Sequence, residues 1–232
     1  MLADPCNTIC LVGRRPKDLP GTRRICNDSA LEFQSPDNPE DRTTAMIFRL
    51  FPRNRQETTI RALYGAIVAQ ARRPSFYRGY RVPDTVNGRF DMVVLHLALV
   101  LDRTEMADEP LRALGQGVFD LFCREMDGHF REAGVSDLKV PQEMREMAEA
   151  FYGRRSVYHA ALAAPGNDAL EAALMRNVYL AQPDAGPDAA RLAAYVRAAS
   201  ECLARESRLG DGQLVWPDPD AISIDMLARE RG

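Results

Sequence analysis

The stretch FDMVVLHLALVL, residues 90–101, decides the fold. Apart from Asp91 and His96, every side chain in it is apolar. At about 100° per residue those side chains cover all faces of a helix, so this helix is predicted to be central, with neighbours on every side. A bilayer span needs roughly 20 apolar residues, so the run is too short to cross a membrane.

Amphipathic helices are predicted on both sides of it. Asn54 and Glu57 suit a capping box, after which Ile60, Leu63, Tyr64, Ile67, Val68 and Ala71 fall on one helical face and Pro74 stops the helix. After Pro110 a stripe runs through Leu111, Leu114, Val118, Leu121, Phe122, Met126 and Phe130 to a stop at Gly134. Pro141 opens a helix with Met144, Met147, Ala148, Phe151 and Tyr152 inward. Asn167 or Asp168 caps a shorter one bearing Leu170, Ala173, Leu174 and Val178. Pro187 opens the last, with Leu192, Tyr195, Val196, Ala199 and Leu203 inward. No convincing strand pair is present. The expected class is all-α: a single-domain bundle of about six helices over residues 46–210. A tail, residues 211–232, is expected to fold Trp216 back onto it.

Residues 1–45 lack any sustained period and are rich in Pro, Asp and Asn, so they are expected to form a disordered extension. The orderly pattern opens at Met46, which raises the reading that translation starts there. The five cysteines, Cys6, Cys10, Cys26, Cys123 and Cys202, are odd in number and scattered. They fit a reducing compartment better than a disulfide framework, and the first three lack a fourth ligand for zinc.

The net charge of −3 is unevenly spread. Residues 47–89 hold nine Arg against Glu57 and Asp84, whereas residues 90–232 hold fifteen basic and twenty-four acidic side chains. A basic segment of this kind, with Phe76, Tyr77 and Tyr80 among Arg72, Arg73 and Arg78, suits an anionic partner such as RNA or a lipid surface. Alternatively the aromatics pin a loop to the core.

Cys123, Glu125, Asp127, His129 and Glu132 form the densest set of potential metal ligands. On a helix, Glu125, His129 and Glu132 share a face, and Cys123 and Asp127 point elsewhere. The trio would need a ligand from another helix; a solvated face with an Asp127–Arg131 pair is the simpler reading. His96 reads as a hydrogen-bonded core residue. Gly115 and Gly117 in mid-helix suggest close approach of a neighbour. No glycine-rich phosphate loop or nucleophile arrangement is present, so enzymatic chemistry and a resident cofactor are not expected.

Three blocks read together: LYGAIVAQARRPSFYRGYRVPDTVNGRFDMVVLHLALVL (63–101), VFDLFCREMDGHFREAGVSDLKVPQEMREMAEAFYGRR (118–155) and the Ala-rich helix near 168–179. VPDT followed by GRFD, the GVSDLKVP loop and MAEAFYGR are unusual strings in a set order. The chain resembles the ubiquinol–cytochrome c chaperone family, bacterial relatives of the mitochondrial assembly factor for cytochrome b. The resemblance covers about residues 46–180 and, more weakly, the last helix; His129 falls outside the family pattern.

What the resemblance implies is a non-enzymatic chaperone that binds newly made cytochrome b during assembly of complex III. It implies an α-helical fold and a cytoplasmic place, extending to peripheral attachment on the inner face of the cell membrane, with the ribosome and anionic membrane as further partners. No DNA or small-molecule substrate is expected. The expected partner-binding set combines the basic segment, the carried-over positions and a Met-lined apolar groove. It comprises Arg72, Arg73, Phe76, Tyr77, Asp84, Arg89, His96, Asp137, Met144, Met147, Phe151, Tyr152 and Arg154. Thr85, Gly88, Phe90, Val140, Pro141 and Gly153 also carry the resemblance, with Gly88 and Gly153 expected to serve backbone geometry. The alternatives are an RNA- or ribosome-binding adaptor using residues 47–89, and a metal-handling enzyme using Glu125 and His129.

Overall fold

The computed structural model describes residues 41–222, with side chains described from residue 55. The expectations for residues 1–40, including the three N-terminal cysteines, and for residues 223–232 lie outside the described residues. The chain divides into a unit of residues 1–49, of which only the helical course of residues 41–49 is described, and a compact unit of residues 50–232.

Seven α-helices follow one another: α1 (Asp41–Ala71), α2 (Pro74–Arg78), α3 (Val86–Glu105), α4 (Glu109–Glu132), α5 (Val140–Ala163), α6 (Asp168–Asn177) and α7 (Gly186–Arg205). Two 3-10 turns, Leu209–Asp211 and Pro219–Ala221, punctuate the chain after α7. No strand occurs among the described residues. The expected helices are all present. The five-residue α2 was hidden in what reads as loop.

Helix starts follow proline chemistry. Pro74, Pro110, Pro141 and Pro187 each stand in the first turn of a helix, where a missing N–H costs nothing. Thr85 caps α3, its hydroxyl accepting from the Gly88 amide at 3.1 Å. A Cβ at Gly88 would lie 2.0 Å from the Pro83 carbonyl oxygen, so only glycine lets the VPDT turn close on the helix. One expected boundary is corrected. α1 begins at Asp41, and Asn54 and Glu57 lie within it. Asn inside a helix costs well under about 1 kcal/mol, too little to force a start. Glu57 instead pairs with Arg61 one turn on, at 2.9 Å.

α3 is the axis. All of Asp91–Leu101 is buried, and α4, α5 and α7 pack around the helix. α6 closes against α5 and α7. Close packing of α4 depends on its two mid-helix glycines. A Cβ at Gly115 would meet the Thr104 side chain of α3 at 2.1 Å, and one at Gly117 would meet Ile60 of α1 at 2.3 Å. Gly153 of α5 faces open space, so the geometric role expected for it is absent.

These glycines make a paired prediction. Gly115→Ala gains helix propensity but must push back buried Thr104, and should destabilise by about 1–3 kcal/mol. Gly153→Ala, with nothing to displace, should stabilise by about 0.5–1 kcal/mol. Urea unfolding of the two variants checks both signs.

Candidate functional site

The residues selected from sequence separate into a surface corner, a buried set and a second cleft. The corner lies where α1 ends and α3 begins. Arg72, Pro74, Tyr77, Arg78, Asp84 and Arg89 line a cleft of about 350 Å³ there. Tyr77 is half-buried; its hydroxyl donates to the Ala71 carbonyl at 2.8 Å, and the Arg89 guanidinium lies 5.9 Å from its ring centre. It therefore pins α2 and lines the cleft. Arg89 binds Asp84 at 2.6 Å, and this bond holds the Asp84 carboxyl below its ordinary range. Arg72 and Arg78 are exposed and make no ion pair among the described residues. The cleft thus keeps two uncompensated positive charges beside an aromatic edge. Arg78 belongs to the basic run but was missing from the expected set; Pro74 had no signal beyond its role as a helix start.

Several expected contact residues are instead structural. Phe76 is fully buried, its ring centre 4.8 Å from that of Tyr195 and 5.4 Å from that of His96. Phe151 and Met147 are buried, and Met144 is partly buried against the same core, so no Met-lined groove opens there. The physical reason is register: these positions fall on the α5 face that meets α3 and α4, where burial contributes most. Arg73 is committed to Asp218 at 2.8 Å and Asp220 at 3.4 Å. Asp137 is exposed but bound by Arg131, which also holds Asp127 as the helical spacing predicts.

His96 is 0% exposed. Its Nδ1 lies 2.8 Å from the Met92 carbonyl, which can only accept, so Nδ1 carries the proton. Its Nε2, 2.9 Å from the Tyr195 hydroxyl, then accepts from it. Gln70 Nε2 donates to the same hydroxyl at 2.9 Å. Burial pushes the imidazole down to about 4, so it is neutral at physiological pH. It is the satisfied core histidine of one sequence reading, and it is unavailable to a partner.

Arg154, expected at the surface, binds Asp91 of α3 at 2.7 Å. Its side chain keeps 25% of its exposure and that of Asp91 only 7%. Burial raises the Asp91 carboxyl to about 6 against the pull of Arg154. The adjacent Arg155 ties α5 to Asp102 at 2.7 Å and to Glu105.

The second cleft, of about 650 Å³, lies between α3, α4 and α5, with Gln56 of α1 at its edge. Tyr152 forms its rim, is 51% exposed, and packs on Phe119 with ring centres 5.5 Å apart. Thr104, Gly115 and Gly117 line it, together with Glu105, Glu109 and Asp120. Phe119 was missed because it lies off the main α4 stripe. The ligand-like cluster on α4 does not converge. Glu125 and His129 are exposed, and His129 Nδ1 donates to the Glu125 backbone carbonyl at 2.6 Å. Among the described residues no three His, Cys, Asp or Glu side chains are grouped to hold a metal ion. No described helix is long and apolar enough to cross a membrane.

Against this geometry, residues 78–214 match the family described as ubiquinol-cytochrome C chaperone. The chain belongs to the ubiquinol–cytochrome c chaperone family. The crystal structure of the Cbp3 homolog from Brucella abortus has the same fold, with a TM-score of 0.70 at 38% sequence identity. The similarity covers 76% of this chain and 99% of that one. No curated protein matches. The family match begins at Arg78, in the basic corner, and takes in both clefts except Gln56, Arg72, Pro74 and Tyr77.

The two buried titrating groups make opposing contributions with pH. The neutral state of His96 contributes fully above about 6.5, and that contribution is lost as pH falls toward 4. Asp91 does the reverse: its raised value makes the charge a cost at neutral pH, relieved as pH falls through 6 toward 3.8. Between pH 7 and 4.5 the two therefore act in opposite directions. Asp91→Asn removes the compensation, so the variant should lose about 2 kcal/mol more than wild type over that interval. Urea unfolding at the two pH values measures the difference.

Proposed function

We propose that this protein is a non-enzymatic assembly chaperone that binds newly made cytochrome b and supports the building of ubiquinol–cytochrome c reductase. The observation that carries the reading is the family match over residues 78–214. The likeness to the Cbp3 homolog, over almost all of that protein's length, agrees with it. A client-holding role needs no catalytic constellation. It needs a shaped surface that meets a hydrophobic segment, and Tyr152 with Phe119 on the 650 Å³ cleft supplies an aromatic edge for one.

The basic corner supports a second contact in the same role. Arg72 and Arg78 project unpaired charge next to Tyr77, which suits ribosomal RNA or the anionic inner face of the cell membrane, where a client would be met. Attachment of this kind is peripheral and salt-sensitive.

Two experiments test the reading. In cells lacking the gene, cytochrome b should fail to accumulate in assembled reductase, as seen by native gels and haem spectra; normal levels of both would refute the proposal. In vitro, Arg72→Glu with Arg78→Glu should weaken binding to ribosomes or to phosphatidylserine vesicles by tenfold or more at 0.1 M salt, since each basic residue near such a surface is worth about 1 kcal/mol. The circular dichroism spectrum should not change.

A further inference from the structure

The chain after α7 does more than end the fold. Residues 213–222 lie along the bundle and are held almost wholly by its side chains. Cys202 Sγ donates to the Val215 carbonyl at 3.4 Å, Gln70 Nε2 to the Pro217 carbonyl at 3.3 Å, and the Tyr80 hydroxyl to the Pro219 carbonyl at 2.6 Å. The Val215 and Pro217 carbonyls lie on one edge of the extended stretch, and the Pro219 carbonyl belongs to the 3-10 turn Pro219–Ala221 that follows it. The bundle also reads charge: Arg73 binds Asp218 and Asp220, and Ser75 Oγ donates to Asp220 at 2.7 Å. Trp216 sets its ring 5.0 Å from that of His96, edge to face. Three backbone-directed donors, an aromatic seat and a cation for two carboxylates make a receptor for a peptide that runs extended and then turns.

That receptor is built into the core, and its occupant is sealed at Pro219 and Ile222 but open along its acidic side chains. Gln70 and Tyr80 are buried, and Gln70 is fixed by Tyr195. The Asp218 and Asp220 side chains remain more than half exposed, and Val215 is exposed. Trp216 Nε1 is buried with no hydrogen-bond partner among the described residues, so the resident segment leaves a donor unsatisfied.

We propose that this is a peptide-binding groove occupied in cis. Residues 213–222 hold the place that a partner segment takes when it binds: an aromatic residue on an extended stretch, followed by a tight turn with carboxylates two and four positions on. The inference does not rest on cytochrome b being the client.

The test uses the full chain with its strap weakened by Trp216→Ala, Asp218→Asn and Asp220→Asn. The probe is a fluorescein-labelled peptide of residues 211–222, followed by anisotropy. The weakened chain should bind it at least tenfold more tightly than wild type. The gain should vanish on adding Arg73→Glu, and a peptide with Asn at positions 218 and 220 should bind at least tenfold more weakly. A weakened chain with native circular dichroism that binds no better than wild type, or that ignores the Asn substitutions, overturns the proposal. So does self-association through exchanged straps in place of peptide binding. A second measurement needs no variant. Trp216 is the single tryptophan, so its emission should shift to the red when wild type is titrated with excess peptide carrying Phe in place of Trp. No shift up to millimolar peptide would also overturn it.

Discussion

The fold turns on one constraint: a helix buried on every side carries an imidazole in its middle. Burial of α3 removes a continuous apolar helix from water, yet it isolates His96 from solvent. The imidazole is tolerated because both nitrogens are met. Its proton goes to the Met92 carbonyl within α3, and its lone pair receives the Tyr195 hydroxyl from α7. That hydroxyl is in turn met by Gln70 from α1, which also reaches the Pro217 carbonyl. One chain of hydrogen bonds thus joins the central helix, two neighbours and the C-terminal strap. Such a network fixes the rotation of α3 as apolar packing alone would not, because a turn of the helix would strand a buried polar group.

Charge is divided by the same logic. Arginines inside the fold are spent on it: Arg154 on Asp91, Arg155 on Asp102, and Arg73 on the strap. Arg191 sits over Tyr80, 4.4 Å from the ring centre, and donates to the Gly79 carbonyl. What remains unpaired at the corner, Arg72 and Arg78, is what can act on another molecule. A count of basic residues in the sequence overstates the interactive charge, because it cannot tell a cross-helix tie from a free guanidinium.

The helices were legible because their signals are local. Apolar spacing, first-turn prolines and the stop at Gly134 each act within a turn or two of chain, and the inward faces of α4, α6 and α7 follow them. Trp216 was expected to fold back, and it does. The partner-binding residues were less legible because exposure is not local. Phe76 and Tyr77 are neighbours in an Arg-rich run, yet one is fully buried and the other lines a cleft. The short α2 decides between them, and five residues carry too little periodicity to reveal it. Arg154 looked free because Asp91, its partner, lies sixty-three positions earlier on another helix.

This bears on what a family resemblance reports. Of the positions that carry it here, Gly88, His96, Phe151 and Met147 are buried or closed by neighbours, and they describe a shape. Tyr77, Asp84 and Arg89 are gathered at a surface, Tyr77 on α2 and the other two at the capped start of α3. The cap and the Gly88–Pro83 contact fix that turn, and the turn fixes the Asp84–Arg89 pair beside Tyr77. The backbone of the corner is thereby tied to the core helix it begins. A partner that meets it finds the turn already formed, so little ordering of the chaperone's own backbone is required for binding. Adaptability to a client must then come from side chains, and the rim around Tyr152 and the strap beside Gln70 are two further places where these remain only half enclosed.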